Sequence, residues 1–352
     1  MSVDAGPILD VAARFADARG YLNTASSGLP PDTAWAAFAE AAENWRTGRS
    51  QPQDFDDTVT RAREAWARLM HVPHEWVAIG PQVSPLIGLV AASLPDDAEV
   101  LVADGQFTST LFPWLVQERR GVTVRSVPFT ELASAVRPST TLVAVEAVRS
   151  ADGGVADLPA ITAAAREHGA RILVDTTHAT GWLDIEGSAL DYVACGTYKW
   201  LLSPRGTAFL AVRPELQDEI LPHAAGWYAG AEIWDSIYGA PLRIADTGRR
   251  FDISPAWLCW EGTLPALEMI EKTGVAAIGA HDVALANRFR EHLGMPPSNS
   301  AIVSVAVDGA GEKLAAAGIA AATRAGAARL SFHLYNTEAD ADRAADALAH
   351  SP

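Results

Sequence analysis

Seven short, largely apolar runs alternate with amphipathic helical stretches up to residue 212, and no other feature constrains the fold as tightly. The β-type runs fall at 76–79, 99–103, 122–127, 141–145, 171–174, 192–195 and 208–212. Helical spacing of apolar residues marks 84–94, 109–118, 131–136 and 158–167 between most of them. A strand that is apolar on both faces must be covered on both faces, and intervening helices supply the crossovers that parallel pairing requires. The pattern predicts an α/β fold with a mostly parallel sheet between helical layers. Two helices are expected ahead of it, at 33–46 and 54–70, with Asp54 placed to cap the second. The hydrophobic content, 49%, is ample for such a core, and 352 residues suit one two-lobed unit or two domains.

Beyond residue 212 the alternation lapses. The stretch 223–260 is aromatic and irregular, with Trp227, Tyr228, Trp234, Tyr238, Phe251, Trp257 and Trp260. It reads either as a long loop folded on the core or as a partner-subunit contact or active-site wall. A helix at 264–272 leads to a second unit. Helices at 280–293, 312–317 and 338–349 with strands at 301–307 and 329–332 predict a small α+β lobe.

The charge balance narrows the partners. A formal net charge of −16 argues against nucleic acid and against an anionic membrane surface. No apolar run is long enough to span a bilayer, and the acidic residues 1–7 do not form a signal sequence. Cys195 and Cys259 show no pairing pattern, which points to a reduced cytoplasmic compartment. His71 and His74 have a His-x-x-His spacing but no cysteine or carboxylate cluster beside them, so no metal site is expected. The acidic, alanine-rich end 340–350 reads as a solvated helix face.

Of the 27 basic residues only three are lysines: Lys199, Lys272 and Lys313. Lys272 and Lys313 have polar sequence neighbours. Lys199 stands between Tyr198 and Trp200 in a segment almost without them. Burying an ammonium there depresses its pKa, as a Schiff-base lysine needs. A lysine snorkelling past apolar neighbours would look the same in sequence.

Sites in open parallel sheets collect at the carboxyl ends of the strands. After 171–174 come Asp175 and His178; after 192–195 comes Lys199. After 76–79 the run Gly80-Pro81-Gln82-Val83-Ser84 opens a helix, which is an anion site or simply a cap. Phe107 follows 99–103, and Ser150 follows 141–145. A phosphate cradle, an aromatic face, a carboxylate and a lysine at adjacent strand ends suit pyridoxal 5′-phosphate (PLP).

The same residues resemble a known group. Asp175-x-x-His178, Lys199 and then Ser203-Pro204-Arg205-Gly206-Thr207-Ala208-Phe209-Leu210 resemble the aminotransferase class V family of fold-type I PLP enzymes, which includes cysteine desulfurases, kynureninases and isopenicillin N epimerase-like proteins. Tyr21-Leu22-Asn23-Thr24-Ala25-Ser26-Ser27-Gly28 is similar to its opening motif, and Arg329-Leu330-Ser331-Phe332-His333-Leu334-Tyr335-Asn336-Thr337 to its closing one. The resemblance implies a large PLP-binding domain at 24–262, holding a seven-stranded sheet, and a small domain at 263–352 with 1–23.

It also implies roles. Lys199 would bind the cofactor covalently and shuttle protons, and Asp175 would pair with the pyridinium nitrogen. His178 would lie near the ring oxygen and Phe107 would stack on the ring. Ser84 with the N–H groups around Val83 would take the phosphate, helped by Tyr198. Ser150 stands where many members place Asn. Arg329 would grip the substrate carboxylate, with Asn23 and Ser26 of the opening motif in the substrate site; a strand-edge arginine otherwise forms a surface ion pair. Ser254 falls near the segment that family dimers pass to the neighbour's phosphate, and a homodimer is implied, with 227–260 near the two-fold.

Desulfurases carry a nucleophilic cysteine before the final arginine strand, whereas 310–328 contains none, and Gly196 replaces a phosphate-binding Ser. The expected activity is therefore a carbon–sulfur β-lyase acting on a cysteine conjugate, with aminotransferase or epimerase as alternatives. A silent scaffold would have lost Lys199, Asp175 or Arg329, and all three are present.

Overall fold

In a computed structural model, which describes residues 8 and 11–349, the strands form two sheets. The larger contains β1 (Val77–Gly80), β2 (Glu99–Ala103), β3 (Thr123–Val127), β4 (Thr140–Glu146), β5 (Arg171–Asp175), β6 (Tyr192–Gly196) and β7 (Ala208–Val212). Their spatial order is β1-β7-β6-β5-β4-β2-β3. Pairing is parallel from β6 to β3, and β7 runs antiparallel to both β6 and β1. Every residue of β2, β6 and β7 is buried, as their unbroken apolar runs require. The second sheet is antiparallel, β8 (Ile302–Val305), β10 (Ala327–Ser331) and β9 (Ala322–Arg324), and its apolar face packs with the helices Val275–His292 and Glu338–Ala349.

The differences from the sequence reading have local causes. Asp54 does not cap the long helix. Pro52 opens a 3₁₀ turn, Pro52–Phe55, in which the Asp54 carboxylate accepts the Gln51 N–H at 2.7 Å, and the α-helix begins only at Asp56. The aromatic stretch is not irregular to its end. Trp257, Cys259 and Trp260 belong to the helix Trp257–Thr273, which extends the predicted 264–272 upstream. Gly262 and Pro265 argue locally against a helix there. Packing overrides them: Trp260 is buried edge-on against Phe209, and a Cβ at Gly262 would lie 2.7 Å from the Pro204 ring. Gly274, at φ 90°, ends that helix and lets Val275–His292 begin at once, so the predicted 280–293 also starts earlier. The three-residue β9 carries no periodicity that a sequence could show. Residues 1–7 and His350, read above from sequence, lie outside the described residues.

No helix among the described residues is long and apolar enough to cross a membrane. Nor do the described residues bring three or more His, Cys, Asp or Glu together around a metal position.

Candidate active site

β4, β5 and β6 lie side by side; β4 and β5 end in register and β6 runs two residues further, so the residues at their carboxyl ends meet. Asp175 is the last residue of β5 rather than the first after it. One of its oxygens accepts the Thr177 N–H at 2.9 Å and the other the Thr110 hydroxyl at 2.8 Å. Two donors, one on each oxygen, fix the orientation of this buried carboxyl group. Thr177 in turn accepts the Gly196 N–H at 2.9 Å, which ties this turn to β6.

Lys199 sits three residues beyond β6, in a turn closed by the Leu202 N–H on the Lys199 carbonyl at 3.1 Å. Leu202 has φ 55°, a left-handed conformation that costs a branched residue about 1 kcal/mol or more. Gly28 of the opening motif donates to the Tyr198 carbonyl at 2.8 Å, and a Cβ there would lie 2.1 Å from the Lys199 carbonyl oxygen, so only glycine fits. The amine is buried 2.8 Å from His178 Nε2, with the Phe107 and Tyr198 rings 5.6 and 5.5 Å away. Its sequence neighbours are apolar, but its spatial neighbours are not; the apparent lack of polar company is corrected by residues arriving from β4 and β5. Burial nevertheless dominates and lowers the amine to about 7, with the Asp175 charge opposing. His178 is held well below its ordinary value by burial and by the Lys199 and Arg329 charges, so it is a neutral imidazole.

The helix Val83–Ser93 points its N-terminus into the same pocket. Gln82 and Ser84 line it with Val83, and no side chain caps the helix. Its first N–H groups therefore remain available to an anion. Phe107 stands at the N-cap of the helix Thr108–Leu115, lines the pocket and is 42% exposed. The Arg205 guanidinium lies 5.0 Å over the Tyr198 ring at the mouth.

Arg329, on β10, reaches the site from the second sheet. It is 1% exposed. Its Nη1 donates to the Ser150 carbonyl at 2.5 Å and to the Ser150 hydroxyl at 3.2 Å; its Nη2 donates to the Ser26 hydroxyl at 3.0 Å. Its Nε is buried without a partner. Among the described residues no carboxylate pairs with it, so the surface ion pair is not what this arginine forms. Burial draws its pKa down to about 10. The Asn23 backbone bridges to Ser331, and its Oδ1 is likewise buried and unpaired.

Ser254 is exposed ahead of Trp257–Thr273 and does not line its own chain's pocket. Glu146 does line it, and the sequence reading passed it over. An acid closing an otherwise apolar run was the available signal; ending that strand at residue 145 hid it.

The family model for aminotransferase class-V matches residues 21–308. The chain belongs to that family. It is 27% identical to isopenicillin N epimerase of Streptomyces clavuligerus, over 93% of each chain, and 27% identical to the uncharacterized aminotransferase YcbU of Bacillus subtilis (strain 168), over 82% of each. Among solved structures, the cystine C–S lyase C-DES superposes with a TM-score of 0.84 at 22% identity, covering 95% of this chain and 98% of that one. The mostly parallel seven-stranded sheet is that of the fold-type I PLP enzymes.

This is a PLP-dependent enzyme, and its residues fit the cofactor. The uncapped helix at Val83 and Ser84 suits a phosphate, the partly exposed Phe107 ring in the pocket a planar ring, and the doubly anchored Asp175 a protonated ring nitrogen. Lys199, buried and lowered to about 7, can shed its proton near neutrality and so suits covalent attachment.

Proposed function

We propose that this enzyme is a carbon–sulfur β-lyase acting on a cysteine conjugate. PLP supplies an electron sink conjugated to the substrate Cα. Arg329 takes the amino-acid carboxylate in two parallel hydrogen bonds; the missing counter-charge around its guanidinium is what a carboxylate would provide. Lys199, as the free amine, removes the Cα proton. Asp175 would face the ring nitrogen of the bound cofactor, and the neutral His178 keeps the amine in place. The Cβ–S bond then breaks with its electron pair on sulfur, and the three-carbon remainder hydrolyses to pyruvate and ammonia.

The observation that separates a lyase from a desulfurase is the location of the thiols. The segment before β10 holds no cysteine. Cys195 is wholly buried on β6, its thiol raised to about 11 by burial, and Cys259 lies on the helix Trp257–Thr273, also raised by burial. No thiolate is poised to accept sulfur, so sulfur leaves with the departing group. S-substituted cysteines should release pyruvate; a pyridoxamine spectrum without pyruvate would instead establish an aminotransferase. The end-to-end similarity to isopenicillin N epimerase favours a second reading, in which the proton returns to Cα. Deuterium exchange at Cα with inversion and no pyruvate would select it.

The assembly belongs to the same reading. We propose a cytoplasmic homodimer in which 227–260 lies near the two-fold and Ser254 reaches the partner's phosphate. A large domain at 24–262 carries the cofactor, and a small one at 263–352 with 1–23 carries Arg329. Sedimentation of the loaded enzyme as a monomer would remove the dimer.

A further inference from the structure

Asp175 and Glu146 both line the pocket, and the reaction above uses only Asp175. Glu146 closes β4, and its register partner on β5 is Asp175, so parallel neighbours present both carboxylates at one sheet edge. That placement is costly. Burial chiefly, and the Asp175 charge as well, push the Glu146 carboxyl up to about 7. What offsets the cost is a pair of backbone donors. Oε1 accepts the Phe107 N–H at 2.5 Å, and Oε2 accepts the Ser150 N–H at 2.9 Å.

The two donors belong to different loops. Phe107 follows β2 and turns its ring toward Lys199. Ser150 follows β4, and its carbonyl and hydroxyl receive the Arg329 guanidinium. An unbroken path of hydrogen bonds therefore joins Phe107 to Arg329 through Glu146 and Ser150.

We infer that Glu146 is a positioning residue whose carboxylate clamps the Phe107 and Ser150 loops together, so that one group sets both the aromatic face for the cofactor and the arginine for the substrate. The substrate half rests on reading Arg329 as the carboxylate site; the cofactor half stands without it. An amide cannot replace the acid, because glutamine has one acceptor oxygen and its NH₂ would face a backbone N–H. Aspartate keeps both acceptors and the charge but falls a methylene short.

The test uses the full chain and two readouts that do not depend on turnover. First, PLP is titrated into the apoprotein and followed by tryptophan quenching. Glu146→Gln should weaken PLP binding about tenfold, as one unpaired buried donor would. In a Phe107→Ala background the same substitution should change the affinity little, because no ring remains to be positioned. Second, phenylglyoxal labelling is read peptide by peptide. Arg329 should react several-fold faster in Glu146→Gln, while Arg63, equally buried against Asp252 beside β1, should not change. A merely structural role would loosen both arginines, and that result overturns the clamp. So does a loss of PLP affinity undiminished in the Phe107→Ala background. Should Glu146→Gln fail to fold, Glu146→Asp gives the same two readouts. Faster labelling of Arg329 with unaltered KM for S-substituted cysteines would uphold the clamp and sink the substrate reading instead.

Discussion

Two buried basic side chains, Lys199 and Arg329, sit in surroundings that differ. Lys199, at the ends of β4, β5 and β6, meets groups that titrate: His178 at 2.8 Å, and the charges of Asp175 and Glu146. Arg329, on β10, meets a carbonyl and two hydroxyls, none of which changes charge near neutrality. In the first region burial is set against neighbouring charges so that a proton can leave the amine near pH 7. In the second a permanent charge is held by neutral groups, which fix its direction without satisfying it. One arrangement suits proton transfer, the other capture of an anion.

The contrast is most open to breakage at Lys199. Lys199→Ala should lower turnover by orders of magnitude while PLP still binds through the phosphate and Phe107; the borohydride-trapped adduct should vanish, and unchanged turnover would reverse the assignment. Arg329→Ala should act on binding instead, weakening amino-acid affinity by about 2–4 kcal/mol with a smaller change in kcat. An unaltered KM would merge the two regions into one.

The depressed amine also predicts a stability change. In the folded chain Lys199 loses its proton near 7, whereas unfolded it keeps it to about 10.4. Between those values the unfolded state binds more protons, so this group's destabilisation is fullest below pH 7 and fades as pH rises toward 10. Apo Lys199→Met should therefore be more stable than the parent at pH 7, by on the order of a few kcal/mol, with the gap closing in alkali. Urea titrations at several pH values measure it. For the same reason, the rate of PLP attachment to the apoprotein should level off by about pH 8, where an ordinary lysine would still be gaining. The smallest effect is expected at Ser150. Ser150→Ala removes one hydroxyl contact to Arg329 but leaves the carbonyl, so KM should rise by no more than about 1 kcal/mol in equivalent terms.

The strand runs were legible because each is buried on both faces, and burial on both faces leaves an unbroken apolar signature. Asp175, His178 and Lys199 were legible because they interrupt that signature at strand ends. Glu146 interrupts it too, yet its task depends on Phe107 and Ser150 arriving from separate loops, which no spacing announces. The helix at Trp257 was hidden for a related reason: Gly262 and Pro265 speak against it locally, and its support comes from Phe209 and Pro204.

By itself the chain determined the alternation of elements, the family and the lysine that stands apart at a strand end, because these follow from periodicity and motif order along one dimension. Strand order was decided only in three dimensions. It set β4 beside β5, brought β10 across from the second sheet, and so fixed which charges face each other. Coulomb energy and desolvation depend on distance and burial, and neither is a property of sequence separation.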